Sequence, residues 1–136
     1  MQTRKWNLKK DYSLILEWCN QRNWDLPIPQ ETLPAVGVIV TDKEAICAAG
    51  LFVDKTSKMG FIWGIFSNPK IGKLKLFKAM KLCVQGIEKQ AEKNKIFLIC
   101  TITGENALHK LYGKHMGMQL CENNINTYVM NLNKKK

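Results

Sequence analysis

The feature that most restricts the fold is a change of hydrophobic period in the second half of the chain. Between residues 71 and 94 apolar side chains recur every three or four positions, which predicts a long amphipathic helix. Residues 96–102 then form an apolar run, the pattern of a strand that is covered on both faces and runs parallel to its neighbour. Because another apolar strand at residues 59–66 precedes the helix, the segment predicts a right-handed βαβ unit.

The rest of the chain completes a mixed α/β order in a single domain. Short polar turns separate three consecutive strands, which predicts an antiparallel meander over residues 35–41, 45–53 and 59–66. A strand at 3–6 and a helix at 8–22 precede it, and a helix at 103–116 and a β-hairpin at 118–121 and 127–132 follow the buried strand. The 136 residues are ample for one core, so we predict one domain over residues 1–133 and a basic tail at 134–136.

The positive charge of the chain is concentrated in its second half. Residues 61–136 carry a net charge of +9, against +1 for residues 1–60. This asymmetry favours an anionic partner, which is a nucleic acid, an acidic protein or a cofactor rich in phosphate, and it equally fits a charge that only serves solubility. Only two of the 21 basic residues are arginines. Since the bidentate recognition of bases and phosphates favours arginine, nucleic acid is not the expected partner.

Neither a membrane span nor a metal site is predicted. The longest nearly charge-free apolar stretch, residues 59–69, is about half of the ~20 residues that a bilayer helix needs. The opening residues lead into no apolar segment of a secretory signal, so the cytoplasm is the expected compartment. The five cysteines are scattered, without a C-x-x-C pair or a histidine at ligand spacing, which predicts buried reduced thiols.

The segment of residues 106–118 resembles a known family. It is similar to the N-x-A-x-x-L-Y-x-K-x-G-F segment of the GNAT acetyltransferase superfamily, with a spacing that differs by one residue at its start. The matching residues are Asn106, Leu111, Tyr112, Lys114 and Gly117, with Met118 in place of the usual aromatic residue. The order of elements agrees over nearly the whole chain. The short Asn-Pro segment before the long helix also resembles small phage-encoded members, which would place the protein in the cytoplasm of a host.

The resemblance implies an acetyl-CoA site where the strand at 59–66 splays from the strand at 96–102. The pantetheine arm is implied to pair with the backbone of Ile65, Phe66 and Ser67, as an added strand would. The pyrophosphate is implied to lie at the start of the long helix, on a loop of the form R/Q-x-x-G-x-G/A. Of this pattern the chain keeps only the central glycine, and the residues implied to hold the pyrophosphate are Lys70, Ile71, Gly72 and Lys73.

Two interpretations of that loop stay open. Gly72 allows close approach of the backbone, and Lys70, Lys73 and Lys75 can replace missing backbone donors with charge. The same residues also suit an ordinary helix start whose lysines are solvated.

The resemblance also implies the group that assists the chemistry. Tyr112 matches the family tyrosine that protonates the departing CoA thiolate, and Asn106 matches the residue that hydrogen-bonds the pantetheine arm. Tyr112 is equally compatible with a core tyrosine, and Asn106 with a first-turn residue of the helix. We assign no general base, because the strand at 59–66 contains no carboxylate.

Two functions follow from these observations. The first is an N-acetyltransferase that uses acetyl-CoA as co-substrate and acetylates a primary amine of a small molecule, of a lysine-bearing protein or of a protein N-terminus. The second is a GNAT scaffold with decayed catalysis that binds or inhibits an acidic macromolecule through its basic half. The retained Tyr112 and Asn106 favour the first, and the missing loop glycines favour the second. A homodimer is compatible with both.

Overall fold

The computed structural model describes residues 1–24, 29–103, 108, 110–115 and 117–119. The chain divides into two compact units, Met1–Gly104 and Glu105–Lys136. That residues 1–133 form one domain stays a prediction, and the basic tail lies outside the described residues.

The first unit is built on a five-stranded sheet in the order β1-β2-β3-β4-β5. The strands are β1 (Gln2–Lys5), β2 (Val36–Asp42), β3 (Glu44–Asp54), β4 (Met59–Ser67) and β5 (Leu98–Cys100). The first four strands pair antiparallel in sequence order, and β5 pairs parallel to β4. The predicted meander, the parallel strand after the long helix and the mixed α/β class are confirmed.

The helices α1 (Leu8–Gln21) and α2 (Lys73–Lys93) cover opposite faces of this sheet. Ile39 belongs to the core under α1, whereas its neighbour Val38 contacts α2, where a Cβ on Gly86 would lie 3.3 Å from the valine Cγ1. Successive side chains of a strand leave on opposite faces, so the two helices sandwich the sheet. The core under α1 consists of Trp6, Ile15, Trp18, Cys19, Leu33, Ile39, Ala48 and Phe66. Within the described residues, no helix combines the length and the apolar character needed to cross a membrane.

The cysteines of the first unit are packing groups. Cys19, Cys47 and Cys83 are buried, as predicted, while Cys100 is half-buried and Cys121 lies outside the described residues. A hydrogen bond with Cys47 and burial both raise the pKa of the Cys83 thiol, which keeps this thiol neutral and unreactive. The described part of the chain brings no three His, Cys, Asp or Glu side chains close enough to hold a metal ion.

Strand β5 is shorter and more exposed than its apolar sequence predicts. The side chain of Phe97 is 79% exposed and that of Leu98 is 53% exposed. The backbone N–H groups of both residues donate to the Lys58 carbonyl, so the chain enters the sheet at the turn before β4. The prediction of a strand covered on both faces is therefore wrong. The apolar run specifies strand propensity, but which faces are covered depends on where the helices pack.

Of the second unit, the structure describes a short part of the predicted helix at 103–116. Leu111–His115 forms a single π-helical turn. The Met118 N–H donates to the Tyr112 carbonyl at 2.9 Å, and Gly117 has a φ of 65°, the left-handed conformation that commonly ends a helix. Most of the predicted hairpin lies outside the described residues and stays a prediction.

Candidate functional site

β4 contains a bulge against β3, next to the point where its pairing with β5 ends. Ala49 pairs with Ile65 and Leu51 with Ile62, so β4 carries one residue more than β3 between these two pairs. Gly64 lies within the extra length and has a φ of 79°, a conformation that glycine adopts without strain. The parallel pairing of β4 with β5 extends no further than the pair Phe61 and Cys100. Beyond the bulge, β4 has no strand partner on this side among the described residues, and this open edge matches the predicted splay.

The open edge presents backbone hydrogen-bonding groups to a ligand. The Asn68 N–H donates to the Ile46 carbonyl of β3 at 2.9 Å. Because alternate residues of an antiparallel strand direct their N–H and C=O groups to opposite sides, those of Ile65 and Ser67 point away from β3. Ile65 and Ser67 thus direct backbone groups to the open edge, whereas the backbone groups of Phe66 point toward β3 and its side chain is buried in the core under α1. That these three residues pair with a pantetheine arm stays a prediction.

Asn68 fixes the loop that leads from the open edge to α2. Its side chain is buried, and its Nδ2 donates to the Ala45 carbonyl at 3.1 Å and to Glu44 Oε2 at 3.4 Å. Its Oδ1 accepts from the Lys70 N–H at 3.0 Å, and its carbonyl accepts from the Ile71 N–H at 3.2 Å. The N–H groups of Lys70 and Ile71 are therefore used inside the loop, and the donors that remain for an anion lie further along the chain.

Those donors belong to the start of α2. Gly72 is the N-cap residue and provides no side-chain cap, and the first intrahelical bond runs from the Leu76 N–H to the Gly72 carbonyl. A helix start leaves its first N–H groups without intrahelical partners, and the helix dipole favours negative charge there. A Cβ on Gly72 would meet no protein atom within 4 Å, so a ligand can approach the backbone at this residue.

The lysines around this helix start are not equivalent. Lys70 and Lys73 are exposed, whereas Lys75 Nζ lies 2.8 Å from Oδ2 of Asp42, the last residue of β2. The hydrogen bond and charge of Lys75 lower the pKa of the Asp42 carboxyl, which is ionised at neutral pH. Lys70 and Lys73 are therefore better placed than Lys75 to meet a phosphate.

An arginine reaches the end of the open edge from α1. Arg22 Nη2 donates to Ser67 Oγ at 2.6 Å, and Arg22 Nε donates to the Ser67 carbonyl at 3.3 Å. Beside it, the rings of Trp24 and Phe66 have centroids 6.1 Å apart. The C-terminal end of α1 is thus packed against the last residues of β4.

Two residues implied by the resemblance lie in the second unit. Tyr112 is described, and its side chain is only 6% exposed. Asn106 lies outside the described residues, so its role stays a prediction. Burial of Tyr112 suits a core tyrosine and a proton donor shielded from water alike.

Sequence reasoning missed Asn68 and Arg22 as parts of this region. An Asn before a Pro at a strand end is a signal for a turn in which the side chain bonds a backbone N–H two residues on, as it does here. A glycine inside a strand pattern, here Gly64, is likewise a signal for a bulge. No local signal indicates Arg22, because its contact joins residues 45 positions apart.

Comparisons with known proteins show a likeness in structure rather than in sequence. No protein-family model and no curated protein matches the chain. An acetyltransferase of Trypanosoma brucei is 10% identical, with a TM-score of 0.64 over 94% of this chain and 99% of its own. The aminoglycoside N-acetyltransferase AAC(6')-Iy, in complex with CoA, is 16% identical, with a TM-score of 0.65 over 96% and 100% of the two chains. An aminoglycoside acetyltransferase from a soil metagenomic sample, in complex with sisomicin, is 7% identical, with a TM-score of 0.67 over 96% and 95%. At such low sequence identities, the structural likeness shows the fold alone. It confirms the fold that the sequence predicts.

Proposed function

Because its fold is that of the GNAT acetyltransferases, we propose that this protein is an N-acetyltransferase that transfers an acetyl group from acetyl-CoA to a primary amine. The observation that carries the proposal is the open edge of β4 leading directly to the uncapped start of α2. An open edge can pair with the amide groups of a pantetheine arm, and a helix start can bind the pyrophosphate that follows it. The CoA complex of a structural neighbour supports the same co-substrate.

The backbone of this region supplies most of the proposed binding. The outward N–H and C=O groups of Ile65 pair with the pantetheine amides. The N–H groups from Gly72 onward face the pyrophosphate, and the exposed Lys70 and Lys73 add positive charge. Ile71 contributes to the shape of the loop, because its N–H donates to the Asn68 carbonyl.

The chemistry asks for little beyond positioning and one proton. Acetyl-CoA supplies a thioester carbonyl; the amine nitrogen attacks it, a C–N bond forms, and the C–S bond breaks. In our proposal Tyr112 gives its hydroxyl proton to the departing thiolate, and Asn106 hydrogen-bonds the pantetheine arm. The amine loses its proton to water, and the Tyr112 phenolate regains a proton from water, so no protein base is needed.

The acceptor is proposed at the level of a primary amine. Two structural neighbours are aminoglycoside acetyltransferases, one of them in complex with sisomicin, so aminoglycosides belong among the first amines to test. A lysine-bearing protein is the other proposed acceptor. A homodimer, the cytoplasm and a phage origin stay predictions.

Calorimetric titration with acetyl-CoA tests the proposal. We expect saturable binding that weakens as salt rises, because lysines contact phosphate groups. A second titration with the acetyl-CoA analogue S-acetonyl-CoA, which cannot transfer its acyl group, separates binding from turnover. The absence of both heat and thermal stabilisation at millimolar acetyl-CoA would refute the proposal.

Replacing Asp42 by Asn should strengthen the binding of acetyl-CoA. The change removes a negative charge beside the helix start and releases Lys75 from its ion pair. We expect an affinity about threefold higher at low salt, a gain that shrinks as salt screens the charges. Glu31→Gln removes one carboxylate from an exposed site elsewhere and should leave the affinity unchanged. Equal affinities of the Asp42 variant and the wild type would place the pyrophosphate elsewhere.

A specific observation favours the second candidate function, a scaffold that binds an acidic macromolecule. A groove of about 340 Å³ lies between β1 and the C-terminal half of α2, away from the open edge, and Lys5, Lys89 and Lys93 line it. Glu92 lines it as well, so its charge is positive in balance but not uniform. Failure to bind acetyl-CoA, together with binding of a polyglutamate peptide that Lys89→Gln weakens, would favour this function.

A further inference from the structure

The chain uses arginine at only two positions, and directed hydrogen bonds hold both guanidinium groups. Arg4 donates through Nη1 and Nη2 to the two carboxylate oxygens of Asp11, at 2.9 and 2.8 Å. Its hydrogen bonds lower the pKa of the Asp11 carboxyl, so this pair is a charged structural link. Arg22 contacts no carboxylate among the described residues and instead donates to the hydroxyl and the carbonyl of Ser67.

The place of Arg22 is set by the end of α1. Its backbone N–H caps the helix by donating to the carbonyls of Trp18 and Cys19, two residues whose side chains are buried in the core. The guanidinium therefore extends from a fixed backbone position. Its contact with the Ser67 carbonyl lies on the side of β4 that faces away from β3, at the end of the open edge.

The guanidinium keeps capacity for an anion. It carries five N–H donors, and its two bonds to Ser67 use two of them. The other three have no acceptor among the residues that the structure describes. A planar guanidinium with free donors suits a phosphate group better than a lysine ammonium does, because it can donate two parallel hydrogen bonds.

We infer that Arg22 is a further cofactor-binding residue, which binds the pyrophosphate of acetyl-CoA from the α1 side while Lys70, Lys73 and the start of α2 bind it from the other. The inference rests on the proposed function and deepens it. Ser67 ends β4 and directly precedes the loop to α2. A pantetheine arm that follows the open edge therefore passes Arg22 before the cofactor reaches Gly72. The bond to the Ser67 carbonyl holds the guanidinium ready at this point.

The test compares acetyl-CoA with acetyl-dephospho-CoA, which keeps the pyrophosphate and lacks only the 3'-phosphate. Arg22→Gln should weaken the binding of both ligands by the same factor, about tenfold, the effect of losing a charged hydrogen bond. It should leave the affinity for S-acetylpantetheine, which has no phosphate, within twofold. Lys9→Gln, which removes an exposed charge at the other end of α1, should change none of these affinities.

Three results would overturn the inference. An unchanged acetyl-CoA affinity in Arg22→Gln would remove the residue from the site, and a loss confined to acetyl-CoA would assign it to the 3'-phosphate. An equal loss for S-acetylpantetheine with a lower melting temperature would make Arg22 a structural link. If Arg22→Gln does not fold, Arg22→Lys replaces it, with an expected loss of about threefold for both phosphate-bearing ligands. A wild-type protein that binds no acetyl-CoA would refute the proposed function itself, which is a separate outcome.

Discussion

Tyr112→Phe should keep the fold and the affinity for acetyl-CoA while its turnover falls at least tenfold. The substitution removes one oxygen from a side chain that is only 6% exposed, so packing is retained. If the hydroxyl protonates the departing thiolate, its loss removes general acid catalysis, which is typically worth ~10²–10⁴ in rate. The measurement is the steady-state rate on the best accepted amine, together with calorimetry of acetyl-CoA binding.

A matched control distinguishes this effect from a general loss of a tyrosine hydroxyl. Tyr12→Phe makes the same chemical change in α1, where the ring packs against the core of the first unit. We expect turnover close to that of the wild type in this variant. A core role for Tyr112 would produce the opposite pattern, unchanged turnover with about 1 kcal/mol lost in the free energy of unfolding. That pattern would withdraw the only catalytic assignment that we make.

Gly72→Val should weaken acetyl-CoA binding by at least tenfold with little effect on stability. The φ of Gly72 is −64° and its ψ is 147°, values that valine adopts readily, and a Cβ there meets no protein atom within 4 Å. The folded protein therefore accommodates the side chain. A β-branched side chain beside the N–H groups of the helix start would instead keep the pyrophosphate at a distance, and charged hydrogen bonds of this kind are worth about 1.5–3 kcal/mol.

A graded series sharpens this prediction. Gly72→Ala adds one carbon and should lose less affinity than Gly72→Val, while both variants should unfold within about 1 kcal/mol of the wild type, the range of N-cap preferences. Calorimetry and urea unfolding on the same samples provide both quantities. Unchanged affinity in the valine variant would show that the pyrophosphate does not approach Gly72.

The sequence by itself determined the kinds of element and their order. The period of apolar residues is a local property, so the helix spacing of residues 71–94 and the strands on either side were legible without any tertiary contact. The family segment around Tyr112 could be recognised for the same reason, since its residues are contiguous. Even the positions of Ile65 to Gly72 relative to the helix start followed from order along the chain.

Only the tertiary structure decided how these elements form the candidate site. Among the described residues, β5 pairs with β4 only as far as Phe61, and Gly64 adds a residue to β4 against β3, so the open edge depends on the register of three strands. Arg22 meets Ser67 across 45 residues, and Lys75 forms an ion pair with Asp42 at the end of β2. The exposure of Phe97 and Leu98 in an apolar run has the same origin. Pairing and burial depend on groups brought together from distant parts of the chain, and local periodicity carries no information about such contacts.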